Sequence, residues 1–136
     1  MGIIRDLFKQ ELNISNKNPI NGKPMDGTVA EINGKWKDEY IDILNHKGVK
    51  HLFLSTALGW RCDNYDFLLY LKSLETFVVL DGRDISMKQV ESLKHLRRLE
   101  LNTLHYHEID SSVFKDLEIF YCDAEKPIPS IFECTN

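Results

Sequence analysis

The chain has 136 residues, 43% hydrophobic and 28% charged, a balance that fits one globular domain long enough to bury a core. No apolar run approaches the ~20 residues needed to span a bilayer, and the opening Met1-Gly2-Ile3-Ile4-Arg5-Asp6 has an early acid, no long apolar region and no Ser or Thr at position 6; a membrane span, a secretory leader and a myristoyl anchor are therefore not expected. The net charge of −4 is uneven: residues 1–68 carry 9 basic and 9 acidic groups, residues 69–136 carry 8 and 12, and 101–136 alone hold 7 acids against Lys115 and Lys126. An acidic C-terminal end repels phosphate backbones, which argues against direct nucleic-acid binding and for a basic protein partner.

In chain order, Ile3, Ile4, Leu7, Phe8 and Leu12 lie near one helical stripe with Arg5, Asp6, Lys9 and Glu11 opposite, which predicts an amphipathic capping helix over 3–12. Residues 13–27 mix Asn, Pro, Gly and Lys without periodicity and read as a loop. Thr28–Ile32 reads as a strand closed by the turn dipeptide Asn33-Gly34, and Trp36–Leu44, with Gly48 just beyond, as a helix. Val49–Ser55 is the next strand. Asp63 or Asn64 then caps a helix running to about Leu71, with Phe67, Leu68, Leu71 and Leu74 as its apolar side. Thr76–Leu80 is a strand, followed by a helix that Asp84 or Ser86 caps and that carries Val90, Leu93 and Leu96. Arg97–Asn102 is a strand, 108–116 has room for one turn or a 3₁₀ piece, and Leu117–Cys122 closes the sheet. Pro127 and Pro129 cannot donate to a ladder, so the tail from Lys126 ends the pairing.

One phrase recurs through this series. It is Val49-x-x-Leu52-x-Leu54, Leu74-x-x-Phe77-x-Val79, Leu96-x-x-Leu99-x-Leu101 and Phe114-x-x-Leu117-x-Ile119. The final apolar positions are 25, 22 and 18 residues apart, and taking Ile32 as a further member adds a step of 22. The pattern resembles the first half of the leucine-rich repeat, L-x-x-L-x-L-x-x-N/C-x-L, over roughly residues 45–122 or 28–122. The Asn/Cys position holds Ala57, Gly82, Leu104 and Cys122, so only the last unit conforms. The resemblance implies an α/β fold: a short, degenerate solenoid with a parallel sheet on one face and helices on the other, in one domain comprising a cap and loop (1–27), repeats (28–122) and a tail (123–136).

Few residues suggest chemistry. Imidazoles and carboxylates meet in His105-Tyr106-His107-Glu108-Ile109-Asp110, a set that suits zinc. No second ligand pair stands at helical spacing, so His105, His107 and Asp110 read as a polar inter-repeat loop, and neither a metal nor a cofactor is expected. Cys62, Cys122 and Cys134 are odd in number and lack C-x-x-C spacing, which predicts free thiols in a reducing, cytoplasmic setting. A Cys–His nucleophile built on Cys62 or Cys122 has no local support, and Cys122 at the repeat's Asn/Cys position implies a buried structural thiol. No G-x-G-x-x-G, Walker, H-E-x-x-H or G-x-S-x-G motif occurs. No catalytic residue is assigned.

Side chains alternate along a strand, so the inward L-x-L row leaves an outward row of Phe53, Val78, Glu100 and Glu118, with Glu31 if the first strand joins. Arg98 flanks that row on one side, and Leu80 and Phe120 flank it on the other. Phe53, Val78, Leu80, Arg98, Glu100, Glu118 and Phe120 are the expected partner-binding residues: an apolar centre with charged neighbours. The favoured reading is a non-catalytic protein-binding module, with an immunity-type inhibitor of a basic toxin as its concrete form. The alternatives are a metal-dependent or thiol enzyme, and a structural module that self-associates through a sheet edge.

Overall fold

The computed structural model describes residues 11–123. They form a six-stranded sheet whose strands lie side by side in chain order. β1 (Leu12–Lys17) pairs antiparallel with β2 (Pro24–Ile32). β3 (Val49–Ser55), β4 (Thr76–Asp81), β5 (Arg98–Thr103) and β6 (Ile119–Asp123) then add in parallel. Parallel neighbours require crossovers, and here most crossovers are not α-helical. The fold is α/β with few helices: among the described residues only α1 (Tyr40–His46) is α-helical, and the other turns are 3₁₀.

Apolar spacing matches that choice. Tyr40 and Leu44 stand four apart and are both buried, as on an α-helix. Leu68, Leu71 and Leu74 are strictly three apart, as are Val90, Leu93 and Leu96, and all six are buried. The helices expected from Asp63 to Leu71 and from Ser86 to Leu96 are short 3₁₀ turns at Asp66–Tyr70 and Lys88–Ser92. Each triple begins inside a 3₁₀ turn, at Leu68 and at Val90, where i and i+3 side chains line up, and continues past its end. The cap positions are Tyr65 and Met87, neither with a side-chain capping bond; one residue earlier, Asn64 Oδ1 accepts from the Asp66 N–H at 2.9 Å and Ser86 Oγ from the Lys88 N–H at 3.3 Å. α1 ends at Gly48, where φ is +60°, a value a side chain disfavours.

The loop expected over 13–27 is largely a hairpin. Leu12 faces Ile32 and Ile14 faces Ala30 across the pair. The link between its strands is tight, with the Gly22 N–H donating to the Asn18 carbonyl at 2.7 Å. The helix expected over 3–12 and the proline tail from Lys126 lie outside the described residues, except that Leu12 opens β1.

Leu52, Leu54, Phe77, Val79, Leu99 and Leu101 form the expected inward row, each at most 2% exposed. The last unit departs from expectation. Leu99 pairs with Phe120 and Leu101 with Cys122, so the row continues through Phe120 and Cys122 instead of Leu117 and Ile119. Ile119 is 49% exposed, Leu117 is half-buried and Phe120 packs on the core. The matching positions 32, 54, 79, 101 and 122 are thus separated by 22, 25, 22 and 21 residues. Backbone bonds lock this register. The N–H of Glu75 donates to Lys50, that of Arg97 to Glu75 and that of Glu118 to Arg97, at 2.7–2.8 Å.

The core opposite the sheet face is capped by aromatics. Trp36 stacks on Phe67 with centroids 4.0 Å apart, and Trp60 meets Phe67 edge-on at 5.7 Å. No helix among the described residues is long and apolar enough to cross a membrane.

Candidate functional site

The middle row of the sheet runs Glu31, Phe53, Val78, Glu100, Tyr121 across β2 to β6, each residue in register with the next. This row floors a cleft of about 320 Å³, bounded at one end by Ile20 of the hairpin loop and by Leu58 after β3. Phe53 is buried, but Leu80, Tyr121, Leu58 and Ile20 are 38, 51, 58 and 72% exposed. Exposed apolar groups gathered in a concavity are costly in water and mark a binding surface.

Of the expected partner-binding residues, Phe53, Val78, Leu80 and Glu100 share this cleft. Arg98 stands beside it, two residues before Glu100 on β5, and its Nε donates to Glu100 Oε2. Glu118 and Phe120 do not belong to the cleft. Glu118 lies before β6 and pairs with Arg97, while Phe120 turns to the core because the last strand is placed three residues later than the pattern suggested. Tyr121 takes the position expected for Glu118, so an aromatic ring stands where a charge was anticipated. Ile20 and Leu58 carry no periodic signal, since loops bring them to the cleft.

The strand entrances carry a second surface, a ladder of alternating charge. Lys50 and Glu75 are 3.5 Å apart, Glu75 and Arg97 are 3.9 Å apart, and Arg97 meets Glu118. The hydrogen bond from Arg97 holds the Glu118 carboxyl below its ordinary range. These exposed pairs neutralise one another, so this end presents little net charge.

One set of polar groups inside the fold is linked in a chain, whereas Thr103 Oγ1 is buried without a hydrogen-bond partner among the described residues. The Trp60 Nε1–H donates to the Tyr65 hydroxyl at 2.8 Å, which donates to Asp81 Oδ2 at 2.7 Å. Arg83 grips both Asp81 oxygens and donates to the Cys62 carbonyl at 2.7 Å. Burial alone would push the Asp81 carboxyl up, but the Arg83 guanidinium and the Tyr65 hydroxyl outweigh it and hold it low. Burial pushes the Cys62 thiol up, the opposite of what a thiolate nucleophile needs. Cys122 is disulfide-bonded, so the expectation of free thiols is met at Cys62 and corrected at Cys122. Cys122 is also in the inward strand row rather than at a repeat's Asn/Cys position.

Two of the histidines are likewise engaged, His51 and His105. His51 Nε2 donates to the Asp26 carbonyl at 2.7 Å, and Nδ1 meets the Thr76 hydroxyl at 2.8 Å. His105 pairs with Asp84, which raises its pKa, and Asp110 Oδ1 accepts from the Ser112 N–H at 3.0 Å. Among the described residues, no group of three or more His, Cys, Asp or Glu side chains is placed to hold a metal ion.

Comparison of the chain with protein-family models, curated proteins and solved structures found no match.

Proposed function

We propose that this chain is a non-catalytic protein-binding module, built as a short leucine-rich-repeat-like solenoid, and that the sheet-face cleft is its binding surface. The carrying observation is the set of exposed apolar side chains, Leu80, Tyr121, Leu58 and Ile20, gathered over a concave sheet face beside Glu31 and Glu100. Such an apolar centre with a polar margin is how protein hot spots are built. Support for the repeat architecture is the succession of strands in chain order, with equivalent residues 21–25 apart. The proposed partner is a basic protein, and in the concrete version a basic toxin that the module neutralises as an immunity-type inhibitor. The net charge of −4 and its concentration in the C-terminal third support a basic partner.

The test is surface plasmon resonance against a partner captured from native lysate. Tyr121→Ala and Leu80→Arg are expected to speed dissociation, because aromatic and aliphatic anchors hold the formed complex. Both side chains are exposed, so the fold is expected to survive. Unchanged rate constants in folded variants would contradict the reading.

A further inference from the structure

We propose that the sheet-face cleft reads a short segment of its protein partner through one large apolar side chain with a lysine or arginine beside it, and that Glu31 selects the cation. The inference rests on the protein-binding reading and sharpens it.

Two carboxylates line the cleft, Glu31 and Glu100. Glu100 is already served by Arg98. Glu31 enters no ion pair among the described residues, although it is half-buried and stands in register beside the buried ring of Phe53. A carboxylate against an apolar wall loses hydration without compensation, and a ligand cation restores the balance. Among the cleft's apolar residues, Val78 lies two strands from Glu31 in the same row, and Leu80 two residues further along β4. Strands are about 4.8 Å apart, so an anchor over Val78 sits roughly 10 Å from Glu31. A long basic side chain on the residue next to the anchor covers that span. Glu75 and Glu118, at the strand entrances, are held in the ladder by Lys50 and Arg97.

The experiment pans a display library of random dodecapeptides on the full chain. Enriched peptides are then resynthesised with citrulline for arginine or norleucine for lysine. The expected consensus places an aromatic or branched apolar residue beside Lys or Arg. Neutralising that cation is expected to weaken binding roughly fivefold, the scale of one partly exposed ion pair. Glu31→Gln should erase the difference between cationic and neutral peptides, while Glu118→Gln should keep it. A consensus without a cation, or a charge preference that survives Glu31→Gln, overturns the inference and leaves the cleft as a protein-binding surface. Phenethylamine displacing the peptides at equal concentration overturns the peptide occupant and assigns the cleft to small amines. Failure to enrich any peptide whose binding is lost in folded Leu80→Arg overturns the protein-binding reading as well.

Discussion

Gly59 follows β3 with φ at +107°, and a Cβ placed there would stand 2.5 Å from the Asn33 carbonyl oxygen. Gly22 has φ at +72° but open space around it. Backbone strain acts at both sites, whereas steric overlap acts only at Gly59. Gly59→Ala should therefore destabilise by roughly 1–3 kcal/mol and Gly22→Ala by less, read as shifts in urea midpoint. Tyr65 is fully buried and links Trp60 to Asp81. Tyr65→Phe removes the hydroxyl and strands the buried Trp60 N–H, while Asp81 Oδ2 keeps its bond from Arg83; the expected cost is about 1–3 kcal/mol. Asp81 adds a pH dependence. Its folded pKa is depressed, so the native state binds fewer protons than the unfolded chain in that range. Its stabilising contribution is present above the ordinary aspartate pKa and is lost as pH falls through the depressed value. Asp81→Asn should flatten the acid limb of a stability–pH profile, and an unchanged limb would discard that origin. None of this chain of bonds was legible beforehand, because Trp60, Tyr65, Asp81 and Arg83 belong to different local patterns and meet only through the fold.

Between strands, the three-residue apolar spacing accompanies the 3₁₀ turns, each triple beginning inside one. Leu68-Leu71-Leu74 and Val90-Leu93-Leu96 can be matched to either a loose α-helix or a 3₁₀ turn, and the crossovers adopt the tighter form. The same spacing hid the last register. Phe114, Leu117 and Phe120 are three apart, so Leu117-x-x-Phe120-x-Cys122 satisfies the recurring phrase as well as Phe114-x-x-Leu117-x-Ile119 does. Pairing with Leu99 and Leu101 selects the later match and restores an interval of 21 residues. The other three strands were legible because each has a single match to the phrase near it. This register makes a sharp prediction. Leu99→Ala and Leu101→Ala, both at 0% exposure, should each cost roughly 2–5 kcal/mol. Ile119→Ala should stay within about 0.5 kcal/mol, and Phe120→Ala should cost more than Ile119→Ala. Denaturation midpoints with the order of 119 and 120 reversed would return the strand to the earlier match. Thr28–Ile32 of β2 was legible as a strand, but β1 and its pairing were not: Asn13, Ser15 and Lys17 dilute its alternation, and the edge position leaves Ile14 38% exposed.

At the scale of the molecule, parallel addition of β3 to β6 onto β2 gathers residues from five strands into one row, and that row supplies the cleft. Four of the seven residues expected to bind a partner reach it, since their strands were correctly aligned; Glu118 and Phe120 miss it through the three-residue shift, and Arg98 stands at its margin as the partner of Glu100. The pairing of Glu118 with Arg97 changes the electrostatic expectation too. Glu118→Gln uncovers Arg97 and so shifts the net charge as much as Glu31→Gln does; both should slow association of a basic partner at low salt, while Glu31→Gln alone, lining the cleft, should also speed dissociation. The most direct measurement of the central claim immobilises the wild-type chain and the Leu80→Arg variant side by side and compares what each retains from native lysate. Circular dichroism confirms beforehand that both are folded. The account predicts that the wild-type chain holds a basic protein and that Leu80→Arg releases it. Equal retention by the two chains, or retention of acidic proteins alone, would contradict it.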